Sequence, residues 1–294
     1  TMVSSSAASD VYKRQSEMSV EPCGGRRGPS SPSDYFEPAP LAWRVMVDGA
    51  LPGPVNMARD HALALSVQEG KGVLRLYRWD QATVSFGRNE PSRGLYSQEK
   101  AREEGVAFVR RPTGGRAVLH HQELTYALAF PLGTFGGLKK AYRIINKGLL
   151  AGLQSMGAAV NLAAGTGPAL PPDAGPCFRQ PAEGEVMALG RKLIGSAQVR
   201  VGDTILQHGS IILDGDQDVL RRLRGNDEPV PPPATLRTLM GFIPDPPRLE
   251  DCLQQGLAGT LGGEWAPGEY GKNERMAASE LESHYGDADW TWRF

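Results

Sequence analysis

The apolar positions of this chain change period from segment to segment, and the periods predict short strands alternating with helices. Residues 43–47, 73–77 and 82–86 are short apolar runs that read as strands. Between the first two, Val55, Met57, Ala58, Ala62, Leu65 and Val67 fall at broadly helical spacing, predicting a helix over 53–69. Residues 96–104 predict a charged surface helix stopped by Gly105. A strand at 106–109 leads into a glycine turn, followed by strands near 117–119 and 124–130. The clearest helix is 139–156, with Tyr142, Ile145, Leu149, Leu150 and Leu153 in one stripe and Gly157 closing it. Residues 165–176 form a loop rich in Gly and Pro, and 185–189, 192–201 and 204–213 predict a meander of antiparallel strands. Beyond a stiff proline stretch at 229–233, helices are expected at 249–261 and 269–285 as a small C-terminal appendage. The pattern is α+β, with mixed and antiparallel sheets surrounded by helices.

Residues 1–40 carry no such period and are expected to be disordered. Residues 1–15 are Ser/Ala-rich without the apolar core of a signal peptide, and they resemble translated adaptor sequence. They are read as non-native, with Met18 as the start.

Composition narrows the function. The 294 residues hold 32 basic and 33 acidic side chains, a formal charge of -1, so there is no basic surplus for nucleic acid or an anionic membrane. No apolar run approaches the ~20 residues that span a bilayer. Cys23, Cys177 and Cys252 are too widely spaced for a disulfide framework or a zinc site, which points to a reducing cytoplasm and to no bound metal.

The most informative stretch is Arg110-Arg-Pro-Thr-Gly-Gly-Arg-Ala-Val-Leu-His-His-Gln-Glu-Leu-Thr-Tyr126, a basic pair and a glycine turn pinned between strands. Gly114 and Gly115 can take positive φ and let a ligand reach bare backbone, although an ordinary hairpin turn has the same composition. The loop lacks the Gly-Lys-Ser/Thr ending of a nucleotide P-loop. Downstream lie Gly175-Pro-Cys-Phe178, Gly190-Arg-Lys-Leu-Ile-Gly-Ser-Ala-Gln198 and Gln207-His-Gly-Ser210. With Asn56-Met-Ala-Arg-Asp60, Leu74-Arg-Leu-Tyr-Arg-Trp79 and Val84-Ser-Phe-Gly-Arg88, these blocks resemble the biotin/lipoate protein ligase superfamily. Within it they are most similar to the cysteine-dependent octanoyltransferase type, over about residues 43–292.

The resemblance implies that superfamily's catalytic fold, with 41–228 as an acyltransferase domain and 229–294 as linker and helical appendage. It implies transfer of an octanoyl group from octanoyl-acyl carrier protein, through a thioester on Cys177, to a lysine of an apo lipoyl domain. Such acceptors are the glycine cleavage H protein and the E2 subunit of 2-oxoacid dehydrogenases. No cofactor, nucleic acid or membrane is implied. Lys192 takes the place of the catalytic lysine, either as a cation that favours the thiolate or as a base for the incoming amine. If 192–200 is one regular strand, Lys192, Ile194, Ser196 and Gln198 share a face. Substrate contacts fall to Arg111, Gly114, Gly115, Arg116, His120, Gly195, Ser196 and Ala197, with backbone amides at 114–115 and 195–197 as oxyanion donors.

An eight-carbon chain gains roughly 0.8 kcal/mol per buried methylene, so an apolar tube is worth building. Val118, Leu119, Tyr126 and Ile194 are candidate walls or, equally, ordinary core. His120 and His208 read as structural or pocket-lining residues. The competing readings are an ATP-dependent lipoate–protein ligase, an amidotransferase between lipoyl domains, and an inactive acyl- or lipoyl-domain-binding module.

Overall fold

The computed structural model describes residues 40–164, 183–225 and 231–294. Cys23, the loop at 165–176, Cys177 with its neighbour Phe178, and the expectations for residues 1–39 lie outside the described residues.

The centre is β6 (Glu123–Pro131), nearly every residue of which is buried. Its alternation divides the core. Leu124, Tyr126, Leu128 and Phe130 enter one cluster, whereas Ala127 and Ala129 enter another. It pairs antiparallel with β2 (Lys71–Trp79) on one side and with β11 (Thr204–Ile212) on the other. Beyond β11, the hairpin partner β10 (Ile194–Val201) forms one edge. Beyond β2, β1 (Ala42–Leu51) and then β12 (Glu264–Pro267) pair in parallel, completing six strands. Parallel neighbours need a crossover, and α1 (Gly53–Ser66) supplies it between β1 and β2.

One face is covered by α3 (Leu138–Ser155) and α6 (Pro246–Leu261). The stripe expected on α3 is present in Ile145, Leu149 and Leu153, which meet Leu249, Leu253, Leu257 and Leu261. Glycines let these helices touch: a Cβ on Gly256 would lie 2.3 Å from the Gly152 nitrogen. The opposite face receives α1 and α7 (Lys272–Gly286), through Met57, Ala58, Ala64 and Tyr285. The helices expected after the proline stretch are therefore present, and they are built into the body. Burying each α6 leucine is worth about 1.5–3 kcal/mol, and β12 is a strand of the main sheet.

Two small sheets stand beside this body. In one, β3 (Thr83–Phe86) pairs parallel with β4 (Ala107–Arg110) and antiparallel with β5 (Val118–His120). In the other, β8 (Val186–Ala188) lies between β7 (Asn161–Leu162) and β9 (Arg191–Lys192). The stretch 185–213 is thus not one meander. At the fully buried Leu193 the chain leaves the small sheet for the large one, with its N–H on Val186 and its carbonyl on Ile212. Lys192 consequently shares no strand face with Ser196 and Gln198. No helix among the described residues is long and apolar enough to cross a membrane.

Candidate active site

Where β5, β2, β10 and β11 converge, the fold leaves a small, partly enclosed pocket. Met57, Tyr77, Trp79 and Val118 supply its apolar wall. Arg111, Gly115, His120 and residues 195–197 and 208–210 supply its polar rim. Five of the residues singled out for substrate contact come together here: Gly115, His120, Gly195, Ser196 and Ala197, with Arg111 as a sixth. Period two explains the rest of β5. Val118 and His120 face the pocket, and Leu119 between them turns into a separate cluster around Phe86. Tyr126 and Ile194 belong to the main core, so of the four candidate wall residues only Val118 lines the pocket.

Two histidines face this space, each oriented from behind by a buried carboxylate. Asp60 accepts from His208 Nδ1 at 3.0 Å, leaving Nε2 to accept the Thr113 hydroxyl at 2.6 Å. Burial pushes the His208 ring down and outweighs the raising effect of Asp60, so the imidazole is neutral. For Asp60 itself burial pushes upward, but the Arg75 charge and the His208 bond win, and the carboxyl lies below its ordinary range. Arg75 and the Tyr77 hydroxyl complete the set of donors to Asp60, at 2.7 and 2.8 Å. Across the pocket, His120 Nδ1 donates to Glu123 at 2.8 Å and Nε2 accepts from Ser85 at 2.7 Å. Its ring stacks on Trp79 with centroids 4.0 Å apart. Among these partners, Asp60, Trp79, Ser85 and Thr113 stand in the quoted motifs, and Glu123 lies on the strand after the glycine turn. Nothing nearby in sequence marks Glu123, Ser85 or Thr113 as buried histidine partners.

The glycine loop is held by its own side chains. Arg111 donates to the Gly114 and Arg116 carbonyls and to Ser85, so its guanidinium clasps the loop as well as lining the pocket. Glu90 receives the Gly87 and Ala117 amides, both at 2.9 Å, tying the two ends together. Gly115 has φ of +92°, whereas Gly114 is not in the left-handed region. A Cβ on Gly87 would sit 1.9 Å from the Gly115 carbonyl oxygen. Gly114 and the buried Arg116 belong to the loop's framework and are not among the described residues lining the pocket. Gly115→Val should therefore abolish acyl loading, measured as an intact-mass adduct, while lowering the melting temperature only modestly. Unimpaired loading in this variant would reduce the loop to an ordinary turn.

Lys192 lies three residues before Gly195, on β9, and is buried. Its Nζ is 2.6 Å from Glu185 Oε1. The two residues are brought together by the β8–β9 hairpin, whose turn is Leu189-Gly190 with φ of +50° and +71°. Positive φ at both central positions is the geometry of a tight two-residue hairpin turn.

The model of the lipoyl protein ligase A/B catalytic domain matches residues 52–241. The chain is 37% identical to octanoyltransferase LipM of Kyrpidia tusciae over 273 residues, covering 85% of this chain and 98% of that protein. It is 31% identical to the Staphylococcus aureus protein of the same name, over the same shares.

The chain belongs to the lipoyl protein ligase A/B family.

The fold agrees. A lipoate-protein ligase A solved with ATP superposes with a TM-score of 0.72 at 21% identity, covering 86% of this chain and 99% of that one. A bipartite lipoate protein ligase from Thermoplasma acidophilum gives 0.68 at 19%, covering 86% and 96%. As a family member the chain has its apolar pocket beside the glycine loop, and its Lys192 hairpin leads directly into the strand that forms the rim. No group of three or more His, Cys, Asp or Glu among the described residues could hold a metal.

Proposed function

We propose that this protein is an octanoyltransferase of protein lipoylation, taking octanoate from a carrier thioester and delivering it to a lysine of an apo lipoyl domain. The observation that carries this reading is the 37% identity to an octanoyltransferase across 98% of that protein's length. The pocket supports it, since Met57, Tyr77, Trp79 and Val118 offer an apolar wall to a saturated chain.

In the proposed reaction the Cys177 thiolate attacks the donor carbonyl. A C–S bond to Cys177 forms as the donor's C–S bond breaks, and the proton lost by Cys177 goes to the donor thiol. The acceptor amine then attacks the new thioester. A C–N bond forms, the C–S bond breaks, and the proton shed by the amine returns to Cys177. One thioester is exchanged for another and the second becomes an amide, so the scheme balances without ATP. In this scheme the oxyanion is assigned to backbone amides of Gly115 and residues 195–197, supported by their lining the pocket and by β10 being an edge strand among the described residues, whose alternate amides point away from its partner. Octanoyl-acyl carrier protein is the proposed donor.

The test is incubation with octanoyl-acyl carrier protein and an apo lipoyl domain, without ATP or Mg²⁺, followed by intact-mass measurement. A gain of one octanoyl group on the acceptor is expected, and Lys192→Ala should reduce it at least about a hundredfold. Near-normal turnover in that variant would remove Lys192 from the mechanism. Attachment of free lipoate that requires ATP would replace the transferase by a ligase.

A further inference from the structure

We infer that Glu185 is a positioning residue of the transfer reaction, holding Lys192 as a resident ammonium so that it acts by charge and not as a base. The inference rests on the proposed catalytic place of Lys192 and decides between its two roles.

The geometry is built for a fixed pair. Both side chains are buried and the two atoms are 2.6 Å apart, the length of a charge-assisted bond. Four backbone contacts fix the residues independently. Lys192 is opposite Met187 in the β8–β9 ladder, and its carbonyl accepts from Ala234 at 3.0 Å. The Glu185 carbonyl accepts from Ala163 at 2.8 Å, and the buried Asn146 of α3 donates to the adjacent Gly184 carbonyl at 2.9 Å. Elements on three sides thus hold one ion pair that contributes no side chain to the described pocket wall.

Among the described residues, the charged neighbours include the exposed Arg143–Glu183 ion pair, brought by α3 and the segment just before Glu185. β8 brings Val186, Met187 and Ala188, β7 brings Asn161 and Leu162, and the segment at 231–235 brings prolines, Ala234 and Thr235. On β9 itself, Arg191 is partly exposed. From β6 comes the Tyr126 hydroxyl, which burial pushes up to about 12 and which feels the Glu185 charge, so it stays neutral. A buried ammonium beside a carboxylate keeps its proton, because deprotonation would leave the carboxylate uncompensated. The reaction needs no more than this. Proton transfer between thiol and amine is already balanced, and a fixed cation favours the Cys177 thiolate both when it attacks and when it leaves.

Replacing Glu185 by glutamine keeps shape and hydrogen bonding and removes the charge, so the Lys192 amine sheds its proton at lower pH. Single-turnover loading from octanoyl-pantetheine, followed by intact mass from pH 6 to 10, reads the consequence. In Glu185→Gln the alkaline fall in rate should move down by at least about one pH unit, a tenfold loss at the alkaline end. In a Lys192→Arg background, where the cation cannot deprotonate, the same change should leave the shape of the profile unaltered. A Glu185→Gln profile superimposable on wild type, a uniform loss at all pH values, or a shift confined to the acid limb would each overturn the inference. Lys192→Ala in the same assay separates the two readings. Normal loading there condemns the catalytic place of Lys192, whereas loss there with an unshifted Glu185→Gln profile condemns the inference alone.

Discussion

Cys177→Ala should eliminate the octanoyl adduct and lower transfer to the acceptor by at least about a thousandfold, with the melting curve unchanged. The adduct on the unaltered protein should be single and labile to hydroxylamine, as a thioester is. The expectation comes from chemistry. Without the thiol, the acceptor amine must attack the donor thioester directly, which requires both macromolecules to reach one pocket at once. Substantial transfer by the alanine variant would show that the cysteine is a bystander.

The second large effect is on stability. Arg75 is fully buried and donates to Asp48, to Asp60, and to both the carbonyl and the side chain of Asn56. Arg75→Met would leave Asp60 buried without its cation, and breaking such a pair costs about 3–5 kcal/mol. Thermal denaturation should show a melting temperature lower by about 10 °C. The pH dependence has a definite sign. With Arg75 present, the Asp60 carboxyl titrates below its ordinary range, so its contribution is full above about pH 4 and is lost as pH falls through the depressed value. Without Arg75, burial favours the protonated acid. The gap between the two proteins should therefore be widest near neutral pH and narrow on acidification. A gap that does not change with pH would mean that Arg75 acts by packing alone.

Much of the fold was legible because local periods are set by local burial. The helix expected at 139–156 is Leu138–Ser155, and that at 53–69 is Gly53–Ser66. Strand partners were not legible. Nothing in residues 43–47 says that they pair in parallel with a strand reached through a helix, nor that Glu264–Pro267 will join them from more than 200 residues away. The same limit applied to the site. The glycine loop and the Lys192 block are contiguous and could be read from the sequence, as could His120 and His208 as pocket-lining residues. Glu185, Glu123 and Arg75 are charged residues whose burial is decided by distant neighbours, and on the sequence alone they resemble solvated side chains. The shared face expected from Lys192 to Gln198 failed because Leu193 passes the chain between sheets, and Leu119, Tyr126 and Ile194 turned into the core instead of the pocket.

Arg110, the first residue of the glycine loop, closes on the carbonyls of Trp290 and Thr291, and the Trp290 indole donates back to the Arg110 carbonyl at 2.9 Å. During synthesis this clasp has a temporal meaning. The loop emerges from the ribosome long before its fastener, and domains are built from the N-terminus onward. A nascent chain can assemble the central strands, yet Arg110 cannot find these partners until residue 291 has been released. Termination before Trp290 would thus yield a protein that is nearly complete in mass but whose glycine loop has lost the partners of its first residue.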